Sequence, residues 1–167
     1  LAADHGGQWD DEAVQRSMKP RDAVDNGDEH RQGAAGQWRN TFLRMPYRRD
    51  ETTRHGIVLD TFESAVTWDR FEAFYDGVRR DVTDAIRRAS GRPASVSCRF
   101  THVYPDGPAP YFSLHAFGHK PSMIEQAWQI KIAASEVLNR LGGTITHHHA
   151  VGRDHRSGYE RESSALY

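Results

Sequence analysis

The chain of 167 residues is long enough for one domain, and its 22 basic against 23 acidic side chains give a net charge of −1. This balance excludes the general positive field that favours nucleic acid or an anionic membrane. A single cysteine, Cys98, excludes an internal disulfide framework and a multi-cysteine metal cluster. The apolar runs are far shorter than the roughly 20 residues that span a bilayer.

Residues 1–40 are rich in Asp, Arg, Gln and Gly, and their apolar positions keep neither a helical nor a strand period for long. Segments of this kind often form loops or tails. We therefore interpret residues 1–40 as a weakly specified N-terminal segment and assign residues 41–167 to the folded domain.

A strand followed by a long helix is predicted next. Ile57-Val58-Leu59 and Phe62 form a short apolar run typical of a buried strand. Thr67 offers an N-cap, and Gly91-Arg92-Pro93 ends the helix that follows. The apolar positions between them recur at helical spacing and are Trp68, Phe71, Phe74, Tyr75, Val78, Val82 and Ile86.

Two alternating segments, residues 95–104 and 109–117, predict a hairpin around the turn at Pro105-Asp106-Gly107-Pro108. One face of this hairpin is apolar, because Val96 and Phe112 belong to it. The polar side chains expected on the opposite face are Arg99, Thr101, Tyr111 and His115.

A second helix and a final strand complete the pattern. Ser122 and Glu125 predict a capping box, and an apolar stripe follows as far as Gly142-Gly143. The stripe consists of Ile124, Ala127, Trp128, Ile130, Ala134, Val137, Leu138 and Leu141. The β-branched run Thr144-Ile145-Thr146 then predicts a last strand.

The order strand, helix, strand, strand, helix, strand is that of the ferredoxin-like split βαβ arrangement. We therefore predict an α+β fold in which both helices cover one face of an antiparallel sheet. The other face is then free to cover an active site carried elsewhere.

Three consecutive histidines, His147, His148 and His149, follow the predicted last strand. A zinc site using His147 and His149 is one alternative, but we find no convincing third ligand near them and predict no metal. A solvent-exposed run without function is another. We favour a cofactor or substrate site, in which imidazoles donate hydrogen bonds and titrate near neutral pH.

Tyr111 and Arg49 are two further candidates. An isolated tyrosine on a sheet face is usually structural, and a phenol acts as acid or base only where nearby cations stabilise the phenolate. Arg48 and Arg49 could form a solvated basic pair, yet a guanidinium also binds phosphate or carboxylate through paired hydrogen bonds. On the residues alone both alternatives stay open.

Five segments between about Asn40 and Tyr159 point to one family. They are Tyr47-Arg48-Arg49-Asp50; Asp60-Thr61-Phe62-Glu63 with Trp68-Asp69-Arg70; Cys98 to Tyr104; Pro110-Tyr111-Phe112; and Gly142 to Arg153. In this order and at these separations, with the triple histidine included, they resemble the alkyldihydroxyacetonephosphate synthases and their bacterial relatives. The resemblance implies the C-terminal (cap) domain of the FAD-linked oxidase superfamily.

The resemblance also implies a reaction and roles for residues. The family exchanges the acyl group of acyl-dihydroxyacetone phosphate for a fatty alcohol in ether-lipid synthesis, with FAD as cofactor. By position, Tyr111 matches the residue of proton transfer and Arg49 the substrate-binding arginine. His147, His148 and His149 match active-site histidines, of which His148 and His149 also contact the cofactor. We expect the FAD-binding domain to lie outside this chain, so that the chain alone is inactive.

The expected partners are FAD, through that other domain, and a lipid or a small-molecule phosphate as substrate. We expect a cytoplasmic protein. Peripheral contact with a membrane and a homodimer both stay open. Two other functions also remain. One is an FAD-dependent oxidoreductase acting on a 2-hydroxy acid or alcohol, with Arg49 binding a carboxylate. The other is an isolated, non-catalytic cap or dimerisation module.

Overall fold

The computed structural model describes residues 3–6, 11, 12, 15 and 33–163, so most of the segment 1–40 lies outside the described residues. Between residues 33 and 163 the elements are α1 (Gly33–Arg54), β1 (Ile57–Glu63), α2 (Trp68–Ser90), β2 (Ala94–Val103), β3 (Pro108–Phe117), α3 (Met123–Leu141) and α4 (Gly152–Glu162). Two compact units divide the chain at Pro46, Leu1–Met45 and Pro46–Tyr167. None of the described helices is both long enough and apolar enough to cross a membrane.

The three strands form one antiparallel sheet in the order β1-β3-β2, with β3 in the centre. Both hairpin strands and the first strand are therefore confirmed, as is the predicted α+β class. The register aligns Glu63 of β1 with Tyr111 of β3 and Tyr111 with Arg99 of β2. Since side chains directly opposite each other share a face, these three lie in one row on the polar face.

The predicted fourth strand is wrong. Residues 144–146 are not part of the sheet, although Thr144 does lie beside the end of β1. Its N–H donates to the Ala65 carbonyl at 3.3 Å, but its own Oγ1 accepts the Ala65 N–H at 2.9 Å. Ser64 Oγ donates to the Thr144 carbonyl at 2.7 Å. Side chains thus take the backbone groups that strand pairing would need, and pairing does not continue.

The core lies between one face of the sheet and the helices α2 and α3. Phe112 and Leu114 of the central strand are fully buried there. The helical side chains that pack against them include Phe74, Val78, Val82, Ile86, Ile130, Ala134 and Leu138. Ile124 and Trp128 belong to the predicted stripe of α3 but are 83% and 44% exposed. They line a surface cavity beside β1 instead of the core.

Neither predicted N-cap side chain forms a capping hydrogen bond with the first backbone N–H groups of its helix. Thr67 and Ser122 both lack one. A 3-10 turn at Lys120–Ser122 precedes α3, and Ser122 Oγ contacts the carbonyl and ring of His119, so the predicted capping box with Glu125 is absent. The C-terminal ends agree with the sequence, because Gly91 and Gly142 adopt φ of 68° and 71°.

Gly143 allows the chain to return from α3 to the sheet. A Cβ at this position would lie 2.5 Å from both a ring carbon of Phe74 and Ser64 Oγ. We expect Gly143→Ala to lower the free energy of unfolding by about 1–3 kcal/mol, since it overpacks a filled core. Chemical denaturation measures this.

Ala150→Ser, an exposed change in the same loop, is the control and should alter stability by less than about 0.5 kcal/mol. Equal stabilities for the two variants would contradict the close packing at Gly143.

Candidate functional site

A β-bulge in β2 shapes the polar end of the sheet. The pairing of β2 with β3 shifts by one residue between Phe100 and His102, which makes Thr101 the extra residue. Successive side chains of a regular strand point to opposite faces. Here Thr101 Oγ1 donates to Glu63 Oε1, and His102 Nδ1 lies 4.0 Å from the same oxygen. The bulge thus directs two consecutive residues toward one carboxylate.

Glu63 ends β1 and is completely buried. A buried carboxylate is costly unless a cation or hydrogen bonds compensate its charge. His148 Nδ1 lies 2.6 Å and His147 Nδ1 3.7 Å from Glu63 Oε2. Within the described residues, the ion-pair partners of this carboxylate are all histidines.

The loop that follows Thr144 brings the three histidines to Glu63. Thr146 Oγ1 donates to the His149 carbonyl at 2.7 Å, which closes a tight turn. The ring of His147 lies 4.9 Å from that of His102 between centroids, and its Nε2 is 3.1 Å from the hydroxyl of Tyr104. The rings of His148 and His149 are 4.7 Å apart.

Tyr111 lies at the other end of this cluster. Its hydroxyl donates to Thr61 Oγ1 at 3.0 Å, and its ring meets the ring of His149 edge to face at 5.6 Å. The Arg99 guanidinium carbon lies 4.6 Å from the Tyr111 ring centroid, a cation–π contact. An arginine and an imidazole thus contact the candidate phenol directly. The structure therefore brings Tyr111, His147, His148 and His149 together.

Burial lowers the pKa of His149 below the ordinary value for histidine, and the charge of Glu63 opposes this effect. Lys131 and His148 act in the same direction as burial. His149 is consequently neutral at neutral pH, with one ring nitrogen able to donate a hydrogen bond and the other able to accept one.

Arg49 lies in a second group beside β1. Its Nη2 is 3.9 Å from Asp60 Oδ1, and Lys131 Nζ is 3.3 Å from Asp60 Oδ2. Arg49 is largely exposed, whereas Lys131 is buried and donates to the Thr61 carbonyl at 2.9 Å. These residues line a cavity of about 650 Å³ whose apolar wall includes Ile124.

The two groups are neighbours, but they do not merge. Thr61 connects the two groups, since its side-chain oxygen accepts a hydrogen bond from the Tyr111 hydroxyl and its carbonyl accepts one from Lys131 Nζ. Within the described residues no hydrogen bond or ion pair joins Arg49 to the histidines or to Tyr111. The structure thus places the predicted site residues in two groups on either side of β1.

Sequence analysis assigned no role to Glu63, His102, Tyr104 or Lys131. The period of two along β1 places Glu63 on the same face as Thr61, so its position was accessible from the pattern. The approach of His102 to Glu63 could not be predicted from the pattern, because the bulge that directs His102 depends on the pairing of β2 with β3.

Comparisons of the sequence with known proteins agree on one family. The sequence model described as FAD linked oxidases, C-terminal domain, matches residues 5–166. The alkyldihydroxyacetonephosphate synthase of Caenorhabditis elegans is 33% identical over 120 residues, which cover 70% of this chain and 20% of that protein. The enzyme of the same name from Trypanosoma brucei brucei is 26% identical over 118 residues, or 71% of the chain and 19% of that protein. The chain spans about a fifth of the length of these relatives.

A solved structure of an alkyldihydroxyacetonephosphate synthase is similar in fold, with a TM-score of 0.58 at 19% identity. The match covers 77% of this chain and 23% of that one. At this identity the likeness shows the fold alone. It supports the α+β architecture described above.

The charge of Lys131 provides a test of the site's electrostatics. It lowers the pKa of both His149 and His155. We expect Lys131→Met to raise both pKa values, because a neighbouring cation is removed. Histidine ring proton shifts followed by NMR over a pH series measure this.

Arg140→Met, an exposed change on the same helix, should leave both pKa values unchanged. Unaltered titration of His149 in the Lys131 variant would show that the two groups do not interact electrostatically.

Proposed function

Because the chain belongs to the family of FAD linked oxidase C-terminal domains, we propose that it forms the substrate side of an enzyme acting like the alkyldihydroxyacetonephosphate synthases to which it is similar. The proposed reaction exchanges the acyl group of acyl-dihydroxyacetone phosphate for a fatty alcohol. One observation carries the proposal. Tyr111 and the histidine run contact each other on the sheet face that the helices leave uncovered.

The chemistry of this face is compatible with FAD bound by another domain. His148 is half exposed, and the neutral His149 offers one donor and one acceptor nitrogen. Both imidazoles could hydrogen-bond the carbonyl oxygens and nitrogens of a flavin ring. Bound FAD would supply the reactive ring that activates the substrate carbon, which no amino-acid side chain provides.

Tyr111 is the proposed group of proton transfer. Removing a proton beside a carbonyl requires a base, and a phenolate serves as one where cations stabilise it. Arg99 lies over the Tyr111 ring and is the cation in contact with it. The neutral His149 lies against the edge of the ring. In the resting arrangement Thr61 Oγ1 accepts a hydrogen bond from the Tyr111 hydroxyl and thus fixes the orientation of that hydroxyl.

Arg49 and the cavity beside β1 are the proposed site for the phosphate and the lipid chain. The guanidinium is largely exposed and only 3.9 Å from Asp60, a loose pair that an incoming phosphate could replace. The apolar wall formed by Leu59, Ile124 and Trp128 would bind an alkyl chain. In this arrangement the exposed apolar side chains of α3 would contact the alkyl chain.

Tyr111→Phe tests the proton-transfer role. In flavin-loaded protein that carries this chain, we expect the rate of alkyl product formation from acyl-dihydroxyacetone phosphate and a fatty alcohol to fall about 100- to 10,000-fold. The change removes only the hydroxyl and preserves the ring. Product is quantified by mass spectrometry.

Tyr159→Phe, at an exposed position of α4, should retain full activity. No alkyl product from the unmodified flavin-loaded protein would reject the reaction itself, whereas full activity of the Tyr111 variant would reject only the assigned role.

Arg49→Met tests substrate binding. We expect the KM for the phosphorylated substrate to rise about 10- to 100-fold with a smaller change in kcat, as for the loss of hydrogen bonds to a charged group. Initial rates at varied substrate concentration measure both constants. The adjacent exposed Arg48→Met is the control, and an equal effect there would indicate general electrostatic attraction.

The family's description favours a second candidate, an oxidoreductase acting on a 2-hydroxy acid or alcohol. Arg49 would then bind the substrate carboxylate. Anaerobic addition of substrate distinguishes the two reactions. Persistent bleaching of the flavin supports oxidation, and turnover without an electron acceptor supports exchange.

A further inference from the structure

A carboxylate and three imidazoles from three separate chain segments meet at one point. They are Glu63 at the end of β1, His102 in the bulge of β2, and His147 and His148 in the loop after α3. One oxygen or nitrogen from each lies within 4.8 Å of all the others. Imidazole nitrogen and carboxylate oxygen are the ligands that zinc and neighbouring divalent ions bind in proteins.

Two atoms of this cluster are buried and have no hydrogen-bond partner within the described residues. Glu63 Oε2 and His147 Nδ1 make no hydrogen bond of regular geometry within the described residues. Groups of this kind are rare in folded proteins because each costs free energy, and one explanation for them is an ion bound at the site. Both atoms belong to residues of the four that meet.

The distances fit a metal ion. Zinc binds such atoms at about 2.0–2.2 Å, which puts neighbouring ligand atoms of a tetrahedral site about 3.4 Å apart. His148 Nδ1 and His147 Nδ1 lie 2.6 and 3.7 Å from Glu63 Oε2, and His102 Nδ1 lies 4.0 Å from Oε1. The observed separations bracket the expected one.

Hydrogen bonds outside the four atoms fix the ligands in a suitable form. Tyr104 hydroxyl and His147 Nε2 are 3.1 Å apart, so His147 can carry its proton on Nε2 and leave Nδ1 free for a metal. Thr101 Oγ1 donates to Glu63 Oε1 and orients the carboxylate. The side chains of His102 and His148 are 43% and 48% exposed, which leaves a path for an ion from solvent.

We propose that Glu63, His102, His147 and His148 bind one divalent transition-metal ion of the zinc class. Four protein ligands close the coordination sphere, as in sites that stabilise a fold. The ion links the end of β1, the bulge of β2 and the histidine loop, and it compensates the charge of the buried carboxylate. His148 would use Nδ1 for the ion, so Nε2 remains available to other ligands. The inference does not depend on the proposed reaction.

The test uses the full chain after removal of metal with a chelator. Titration with Zn²⁺ followed by calorimetry should show one ion per chain, and the Tm should rise with Zn²⁺ concentration. Co²⁺, used as a probe, should give the intense visible absorption of a four-coordinate site. Circular dichroism verifies that each variant retains its helices.

Two ligand variants, one variant of a residue that hydrogen-bonds a ligand, and one control make the test specific to these residues. His148→Gln and His102→Gln should each weaken Zn²⁺ binding more than Tyr104→Phe, for which a loss of about 10- to 100-fold is expected. His115→Gln, an exposed histidine on β3, should bind as the unmodified chain does.

Absence of Zn²⁺ and Co²⁺ binding to the folded chain would overturn the proposal. Binding that survives both ligand substitutions, or that falls equally in the His115 variant, would also overturn it, since the ion would then lie elsewhere on the surface.

Discussion

Burial of the Glu63 carboxylate is the constraint on which the rest of the site depends. A charge with no solvent contact needs a compensating partner, because its desolvation costs several kcal/mol. The bulge in β2 and the turn after Thr144 each bring imidazoles to this one position. Either segment in its regular strand form would direct alternate side chains away from Glu63.

The opposite face of the sheet supplies the rigidity that this arrangement requires. Phe112 and Leu114 of the central strand are fully buried against α2 and α3, so β3 cannot move without disturbing the core. Tyr111 precedes Phe112 and Leu114 on the same strand, and it belongs to the opposite face of the sheet. Strand register therefore fixes the backbone position of Tyr111 relative to that of Glu63.

Much of the fold could be predicted from periodicity, because a sheet with helices on one face separates apolar and polar positions clearly. The strands β1 to β3 and the helices α2 and α3 agree with the pattern. Features that depend on contacts between distant segments could not be predicted. Thr144 is a β-branched residue of the kind that favours strands. However, its carbonyl accepts a hydrogen bond from Ser64 Oγ, and its own hydroxyl accepts the Ala65 N–H that strand pairing would use. The division between Arg49 and the histidines likewise follows from the position of β1 between them.

The absent fourth strand determines how the histidines are used. In a strand, His147 and His149 would share a face and His148 would point away from both. The chain bends at these residues, and the neighbours His147 and His148 both approach Glu63 while His149 contacts Tyr111. Within the part of the chain that the structure describes, no cluster of ligands contains both His147 and His149, whereas His147 and His148 lie together with Glu63 and His102. Because of this bend, one of the three consecutive histidines contacts Tyr111 and the other two approach the buried Glu63 carboxylate.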